Sequence, residues 1–213
     1  MKMIVSLDGI PGAGKSRLLQ ELKKSSLNVI CLQEPVEEWS KLKDSKDRTL
    51  FSLYYNDQKR YALGFQLQVL HTRFEQLEKA LREHPNDLII TERDLMTDYQ
   101  IFTQMLYDKN MFEEIEFGLY KQLYLSYQRR LEEQNGDTMK RIYLTTSASV
   151  SHRRMMSRGR KEEKNVPLEY LVEVDKYHKR LFTGMVNVLQ VDGDDDWDTL
   201  PKELLDRIVC FLS

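Results

Sequence analysis

Short apolar runs recur along the chain, separated by long stretches with helical spacing. The runs are Ile4–Leu7, Val29–Leu32, Leu88–Ile90, Ile142–Leu144 and Val188–Val191. Runs of this length, bounded by polar residues, read as strands buried on both faces. Their alternation with helices predicts an α/β fold, a five-stranded parallel sheet flanked by helices. The runs lead into Asp8, Glu34, Glu92, Thr145 and Asp192. In open α/β sheets ligands bind beyond the carboxyl ends of the strands, so Glu34 and Glu92 are expected near one site. Gln58–His84 and Met111–Gln134 read as two long helices, either ordinary covering helices or a subunit interface. Asn135-Gly136-Asp137 reads as a turn. Pro167 is expected at the first position of one helix and Pro201 at that of the last. With no internal repeat or linker, a single domain over residues 1–213 is expected.

One loop carries specific chemistry. Residues 9–16, Gly-Ile-Pro-Gly-Ala-Gly-Lys-Ser, have the spacing G-x-x-x-x-G-K-[ST] between a strand and a helical pattern of Leu18, Leu19 and Leu22. Gly9, Gly12 and Gly14, with Ala13 among them, let the backbone curl so that its N–H groups face phosphate oxygens. Lys15 adds a cation for the β and γ phosphates, Ser16 a hydroxyl for Mg²⁺, and the helix N-terminus its dipole. A nucleoside triphosphate is the expected ligand.

Such a loop serves kinases, GTPase switches and ATPase motors alike. The guanine-reading Asn-Lys-x-Asp is absent, and the third run ends Thr91-Glu92-Arg93-Asp94 rather than in the Asp-Glu of a motor. That ending fits a small-molecule kinase, with Glu92 at Mg²⁺ or its waters and Arg93 facing the substrate. A hydroxyl acceptor needs a base nearby. Glu34, in a turn stiffened by Pro35, is the candidate; a solvated loop acid is the plainer reading. Arg154 and Arg158 lie one helical turn apart, followed by Gly159 and Arg160. This segment reads as an Arg-rich lid, about 154–166, closing over the triphosphate, or as a basic helix end stabilised by the macrodipole.

Charge narrows the partners. The 32 basic and 34 acidic side chains nearly cancel, which argues against bulk nucleic-acid or membrane-surface binding. No apolar run is long enough to span a bilayer. Cys31 and Cys210 form no disulfide framework, which fits a reducing compartment. The phosphate loop begins so early that no targeting peptide fits before it, so a cytoplasmic protein, or one mature as written, is expected.

Taken together, these residues resemble the deoxynucleoside kinases of the deoxycytidine/deoxyguanosine kinase type over almost the full chain. The resemblance is carried by the phosphate loop, Glu34-Pro35-Val36 with Trp39, and Tyr55…Arg60-Tyr61…Phe65-Gln66. Glu92-Arg93 with Asp98 and Arg158–Glu163 followed by Val166–Tyr170 complete it. It implies a P-loop kinase fold, ATP and Mg²⁺, a homodimer through the two long helices, and phosphorylation of the deoxyribonucleoside 5′-hydroxyl in nucleotide salvage. By the same resemblance Glu34 matches the base, Arg93 the arginine beside it, and Glu92 the acid near Mg²⁺. Tyr55 and Glu163 match the pair on the 3′-hydroxyl. Gln66 matches the reader of the base edge, preceded by Phe65, with Trp39 and Val69 bordering the pocket. Arg154, Arg158 and Arg160 match lid arginines on the donor, and Asp192 opens the loop beside the donor base.

Arg73 lies two helical turns after Gln66. In the resembled family an Arg–Asp pair of the kind Arg73 and Asp98 would form marks members that act on deoxycytidine and purine deoxynucleosides. Those substrates are therefore expected ahead of thymidine, a surface salt bridge being the alternative. The chain departs from the family at Tyr54 (methionine), Val69 (a smaller residue), Asp94 (serine), Pro11 (isoleucine) and Ala13 (serine). Two rival readings are a nucleoside-monophosphate kinase of the thymidylate type, whose phosphate acceptor Glu34 would repel, and a non-catalytic nucleotide switch.

Overall fold

The computed structural model describes residues 3–25, 27–135, 139–160, 163–195 and 200–212. Residues 136–137 of the expected turn and Lys161-Glu162 of the basic segment lie outside that set. In chain order the elements are β1 (Met3–Asp8), α1 (Lys15–Lys24), β2 (Val29–Leu32), α2 (Val36–Trp39), α3 (Leu50–Asn56) and α4 (Gln58–Glu83). There follow β3 (Leu88–Glu92), α5 (Leu95–Thr97), a π-helical turn over Asp98–Thr103, α6 (Gln104–Asp108) and α7 (Glu114–Asn135). β4 (Met139–Thr145), α8 (Ala148–Arg158), α9 (Leu168–Phe182), β5 (Val188–Asp192) and α10 (Lys202–Leu212) complete the chain.

The strands form a five-stranded sheet in the order β2-β3-β1-β4-β5, parallel throughout. Alternation along each strand sends side chains to two cores. Val5, Leu7, Ile90, Ile142 and Leu144 meet α1, α9 and α10 on one face. Ile4 and Ile89 turn to the other face, against Leu70, Phe74 and Leu77 of α4 and Tyr120 and Tyr124 of α7. Phe74 stacks on Tyr127 with centroids 4.1 Å apart, tying the two long helices together. A third cluster, including Trp39, Phe51, Tyr54 and Phe65, fills the space between α2, α3 and α4. Among the described residues no helix is long and apolar enough to cross a membrane.

Register brings the carboxyl ends of the central strands level. Leu7 pairs with Glu92 and Asp8 with Tyr143, so the loops after β1, β3 and β4 leave the sheet along one edge. β2 ends at Leu32, as its run predicts, which leaves Glu34 in the loop beyond it. Two helix boundaries differ from expectation. Pro167 is the N-cap of α9 rather than its first residue. α7 starts at Glu114 and not at Met111, because Asn110 takes a left-handed turn (φ 55°). The Glu113 amide then donates to the Glu116 carboxylate at 2.7 Å, opening the helix there.

Candidate active site

The phosphate loop leaves β1 through Gly9 and enters α1 at Lys15. Gly12 (φ 84°) cannot be replaced, since a Cβ there would lie 2.3 Å from the Ser151 carbonyl oxygen. Gly14 (φ 102°) is the N-cap of α1 and offers no capping side chain, so the first N–H groups of the helix stay open to an anion. The Lys15 ammonium donates to the carbonyls of Gly9 at 3.0 Å and Ile10 at 3.1 Å. Burial, with Arg93 nearby, pushes its pKa down to about 7. A phosphate would favour the charged form.

Ser16 donates to Glu92 Oε2 at 3.0 Å, and Lys15 lies 3.9 Å from Glu92 Oε1. A hydroxyl and a carboxylate side by side are oxygen donors suited to a hard cation such as Mg²⁺, which takes its remaining ligands from phosphates and water. Among the described residues no cluster of three or more His, Cys, Asp or Glu could hold a metal by itself.

Arg93 follows Glu92 in the left-handed region, φ 65°, a conformation costing an ordinary residue about 1–2 kcal/mol. Its amide donates to the Leu7 carbonyl at 3.0 Å, which continues the ladder and fixes the turn. The turn aims the side chain across the sheet edge. There Arg93 Nη1 donates to Glu34 Oε1 at 2.6 Å and Nη2 to the Gly9 carbonyl at 3.2 Å. The guanidinium also lies 4.7 Å from the Phe102 ring centroid. Burial pushes the Glu34 carboxyl up, but Arg93, then Arg73 and Lys15, overcome this and bring its pKa down to about 2. Glu34 is therefore ionised at neutral pH.

Arg73, 1% exposed, and Asp98, 2% exposed, are paired at 2.6 Å through Nε and Oδ2. Both are buried, which rules out the surface salt bridge considered from sequence. Arg73 also donates to the Glu92 carbonyl and reaches Glu34 Oε1 at 3.3 Å. Burial raises Asp98 to about 6, against the pull of Arg73.

These groups surround a cavity of about 550 Å³, a volume suited to a small-molecule ligand. Its wall includes the loop from Gly12 to Ser16 together with Glu34, Glu92, Arg93 and Asp98. Trp39, Tyr55, Phe65, Gln66, Val69 and Glu163 line it as well. Gly9, Arg73 and Asp192 do not line it; Gly9 and Arg73 are buried and Asp192 is exposed. Arg73 is bonded to Asp98 and Glu34, which do line it, and Asp192 accepts from the Asp194 amide at 2.9 Å.

The three arginines expected in a lid reach the cavity, each with protein partners. Arg154 donates to the carbonyls of Gly193, Asp194 and Asp195 and so anchors the loop after β5. Arg158 and Arg160 donate to Glu163 at 2.7 and 3.3 Å. Gly193 packs against the phosphate loop, where a Cβ would meet Thr146 Oγ1 at 2.1 Å.

Tyr54 stacks on Phe65 with centroids 4.6 Å apart, and its hydroxyl faces Tyr170 and Gln66. It lines the cavity. Asp94 does not line the cavity; it caps α5 through the Thr97 amide at 2.7 Å and meets Arg141 at 3.1 Å. Sequence reasoning missed Phe102. Its signal was the four-residue spacing from Asp98, which the π-helical turn converts into a shared face on the cavity.

The chain matches the deoxynucleoside kinase family model over residues 5–210. It is 32% identical to protein 029R of invertebrate iridescent virus 3, over 98% of this chain and 95% of that protein. It is 30% identical to the probable deoxycytidine kinase FPV151 of fowlpox virus, over 98% and 88%. It is 24% identical to the deoxycytidine kinase of Mus musculus, over 98% and 90%. A match of this extent, on a P-loop sheet whose strand ends converge on a phosphate cradle, makes the chain a member of the deoxynucleoside kinase family, and so a phosphotransferase.

Proposed function

We propose that this protein transfers the γ-phosphoryl group of ATP to the 5′-hydroxyl of a deoxyribonucleoside, deoxycytidine and purine deoxynucleosides ahead of thymidine. The observation that carries the reading is the Glu34 carboxylate, held by Arg93 at 2.6 Å within the cavity that the phosphate loop lines. Glu34 accepts the hydrogen bond of the 5′-hydroxyl and orients its oxygen toward the γ-phosphorus. A carboxylate with a depressed pKa is a weak base toward an alcohol. Proton transfer therefore comes late, once the new oxygen–phosphorus bond has acidified the hydroxyl. The bond from the γ-phosphorus to the bridging oxygen breaks, ADP leaves, and Glu34 holds the proton. Lys15, Arg93 and the arginines of the 154–166 lid spread the charge on the transferring group. Mg²⁺, held at Ser16 and Glu92, would neutralise the β and γ phosphates.

On the acceptor side, Gln66 can donate and accept at one base edge. Asp98, oriented by Arg73, accepts from an exocyclic amino group. Phe65, Trp39 and Val69 border the base, and Tyr55 and Glu163 meet the 3′-hydroxyl. Residues 1–213 act as one kinase domain in cytoplasmic nucleotide salvage. We assign a homodimer to the two long helices, α4 and α7; on α7, Ile115, Leu119 and Leu125 are 82%, 46% and 47% exposed.

The test is ADP release with ATP–Mg²⁺ and each of the four natural deoxynucleosides, beside deoxycytidine and thymidine monophosphates. Nucleoside-stimulated release, strongest with deoxycytidine or a purine deoxynucleoside, is expected. Release with the monophosphates alone would make the protein a monophosphate kinase, and none with any acceptor would favour a switch.

A further inference from the structure

Behind the Arg93 turn lies a buried polar network that the mechanism above does not use. Alternation along β1 puts Ser6 and Asp8 on the sheet face of Ile4, under α4 and α7. Ser6, Asp8 and Thr97 are fully buried, and Asp94 is 3% exposed. Thr97 bridges the two carboxylates. Its Oγ1 donates to Asp8 Oδ1 at 2.6 Å and its amide to Asp94 Oδ1 at 2.7 Å. Ser6 donates to the second oxygen of Asp8, and Arg141 Nη2 donates to Asp94 Oδ2 at 3.1 Å. Every carboxylate oxygen therefore has a donor. Burial, then Asp94, pushes the Asp8 carboxyl up to about 6, so it is ionised at neutral pH and accepts at both oxygens. None of these five residues lines the cavity.

The network brackets two segments that carry the site. Asp8 precedes Gly9, where the phosphate loop begins, and Asp94 follows Arg93. Arg93 bonds on both sides of Asp8, through its amide to the Leu7 carbonyl at 3.0 Å and through Nη2 to the Gly9 carbonyl at 3.2 Å. Thr91 Oγ1 donates to the Arg93 carbonyl at 3.0 Å. A residue other than glycine at φ 65° persists only where its surroundings over-determine it. The Asp8–Thr97–Asp94 link adds that constraint from outside the cavity. Stability alone does not call for it, since apolar side chains of similar volume commonly serve as well as buried charges.

We propose that Asp8, Thr97 and Asp94 are positioning residues for phosphoryl transfer, a buried clamp that fixes the start of the phosphate loop and the Arg93 side chain relative to each other. The inference rests on the kinase reading. Two pairs of variants test it. Thr97→Val keeps the shape and the amide bond to Asp94 but loses the hydroxyl on Asp8, which Thr97→Ser keeps. Asp94→Ala loses both Asp94 bonds, whereas Asp94→Asn keeps an oxygen for the Thr97 amide. Each protein is assayed well below its own melting temperature, with ATP–Mg²⁺ and the deoxynucleoside that the parent turns over fastest. The kcat is divided by the fraction of sites that bind this nucleoside, read from calorimetric stoichiometry. A role confined to folding lowers that fraction or the melting temperature, whereas a positioning role lowers kcat per binding site. The expected kcat per site falls roughly tenfold in Thr97→Val and Asp94→Ala and stays within about threefold of the parent in Thr97→Ser and Asp94→Asn. The nucleoside Kd stays within about twofold throughout. An unchanged kcat per site in either Thr97→Val or Asp94→Ala, an equal loss in the conservative partner, or a Kd that weakens in step with kcat would overturn the role. If one pair does not fold the other decides, and failure of both pairs to fold would overturn the role and leave a structural network. A parent protein without nucleoside-stimulated ADP release would instead overturn the kinase reading itself.

Discussion

Asp98→Ala removes one half of an ion pair that is closed to water on both sides. Arg73 is 1% exposed and Asp98 2%. The pair is bonded at 2.6 Å, and Arg73 keeps two further contacts, to the Glu92 carbonyl and to Glu34 at 3.3 Å. Breaking a buried pair by removing one partner costs about 3–5 kcal/mol, because the other charge is left uncompensated. The remaining contacts of Arg73 put this case near the lower figure, about 3 kcal/mol. For a chain of this size that corresponds to a fall in Tm of roughly 6–12 °C. Arg73→Met with Asp98→Ala removes both charges, and Arg93 remains to hold Glu34. The double variant should therefore lose at least about 2 kcal/mol less than the sum of the single losses. Thermal unfolding of the parent, both single variants and the double variant gives that coupling directly. The same proteins assayed with thymidine and deoxycytidine should show the kcat/KM ratio moving toward thymidine in the double variant. A cost under about 1 kcal/mol for Asp98→Ala, or additivity within about 0.5 kcal/mol, would contradict the burial argument. An unchanged ratio would confine the pair to stability.

Glu34→Gln should lower kcat by about 100-fold or more while nucleoside binding, followed by calorimetry, is largely kept; equal turnover would take Glu34 out of the base role. Gly193→Ala should raise KM for ATP, and leave KM for the nucleoside unchanged, because its Cβ would meet Thr146 Oγ1 at 2.1 Å beside the phosphate loop; an unaltered KM for ATP would show that the loop yields freely. Lys15 tests the electrostatics. Its folded-state pKa of about 7 lies below the ordinary 10.5. The unfolded chain therefore binds more protons between those values, and native stability rises with pH across that window. Lys15→Met should accordingly melt above the parent at pH 6, with the gap narrowing from pH 7 toward 10.5. A gap that does not change with pH would mean that the ammonium is solvated.

Strands and phosphate loop were readable from sequence because each is a local pattern. A short apolar run such as Ile4–Leu7 ending at Asp8, and a glycine-rich turn between strand and helix, need no distant partner to be recognised. The meeting of Glu34 with Arg93 was only partly readable. Placing both at strand ends predicted proximity. The contact itself depends on β2 and β3 being neighbours and on Arg93 taking φ 65°, neither of which has a local signature. Arg73 and Asp98 could be paired by resemblance alone, but their burial comes from α7 and the π-helical turn closing over α4. Phe102 had only its four-residue spacing from Asp98 as a signal; that it meets the Arg93 guanidinium shows only once the π-helical turn is docked.

The level strand ends have a consequence for how the molecule comes to be active. Gly9, Glu34 and Arg93 meet only when β1 and β2 have both paired with β3, and residues as distant as Arg154 and Gly193 join them after β4 and β5. Such contacts are of long sequence separation and form slowly. A nascent or partly refolded chain can display its glycine-rich turn early, yet has no acceptor carboxylate beside it. Competence for phosphoryl transfer should therefore appear late in refolding, as a single event.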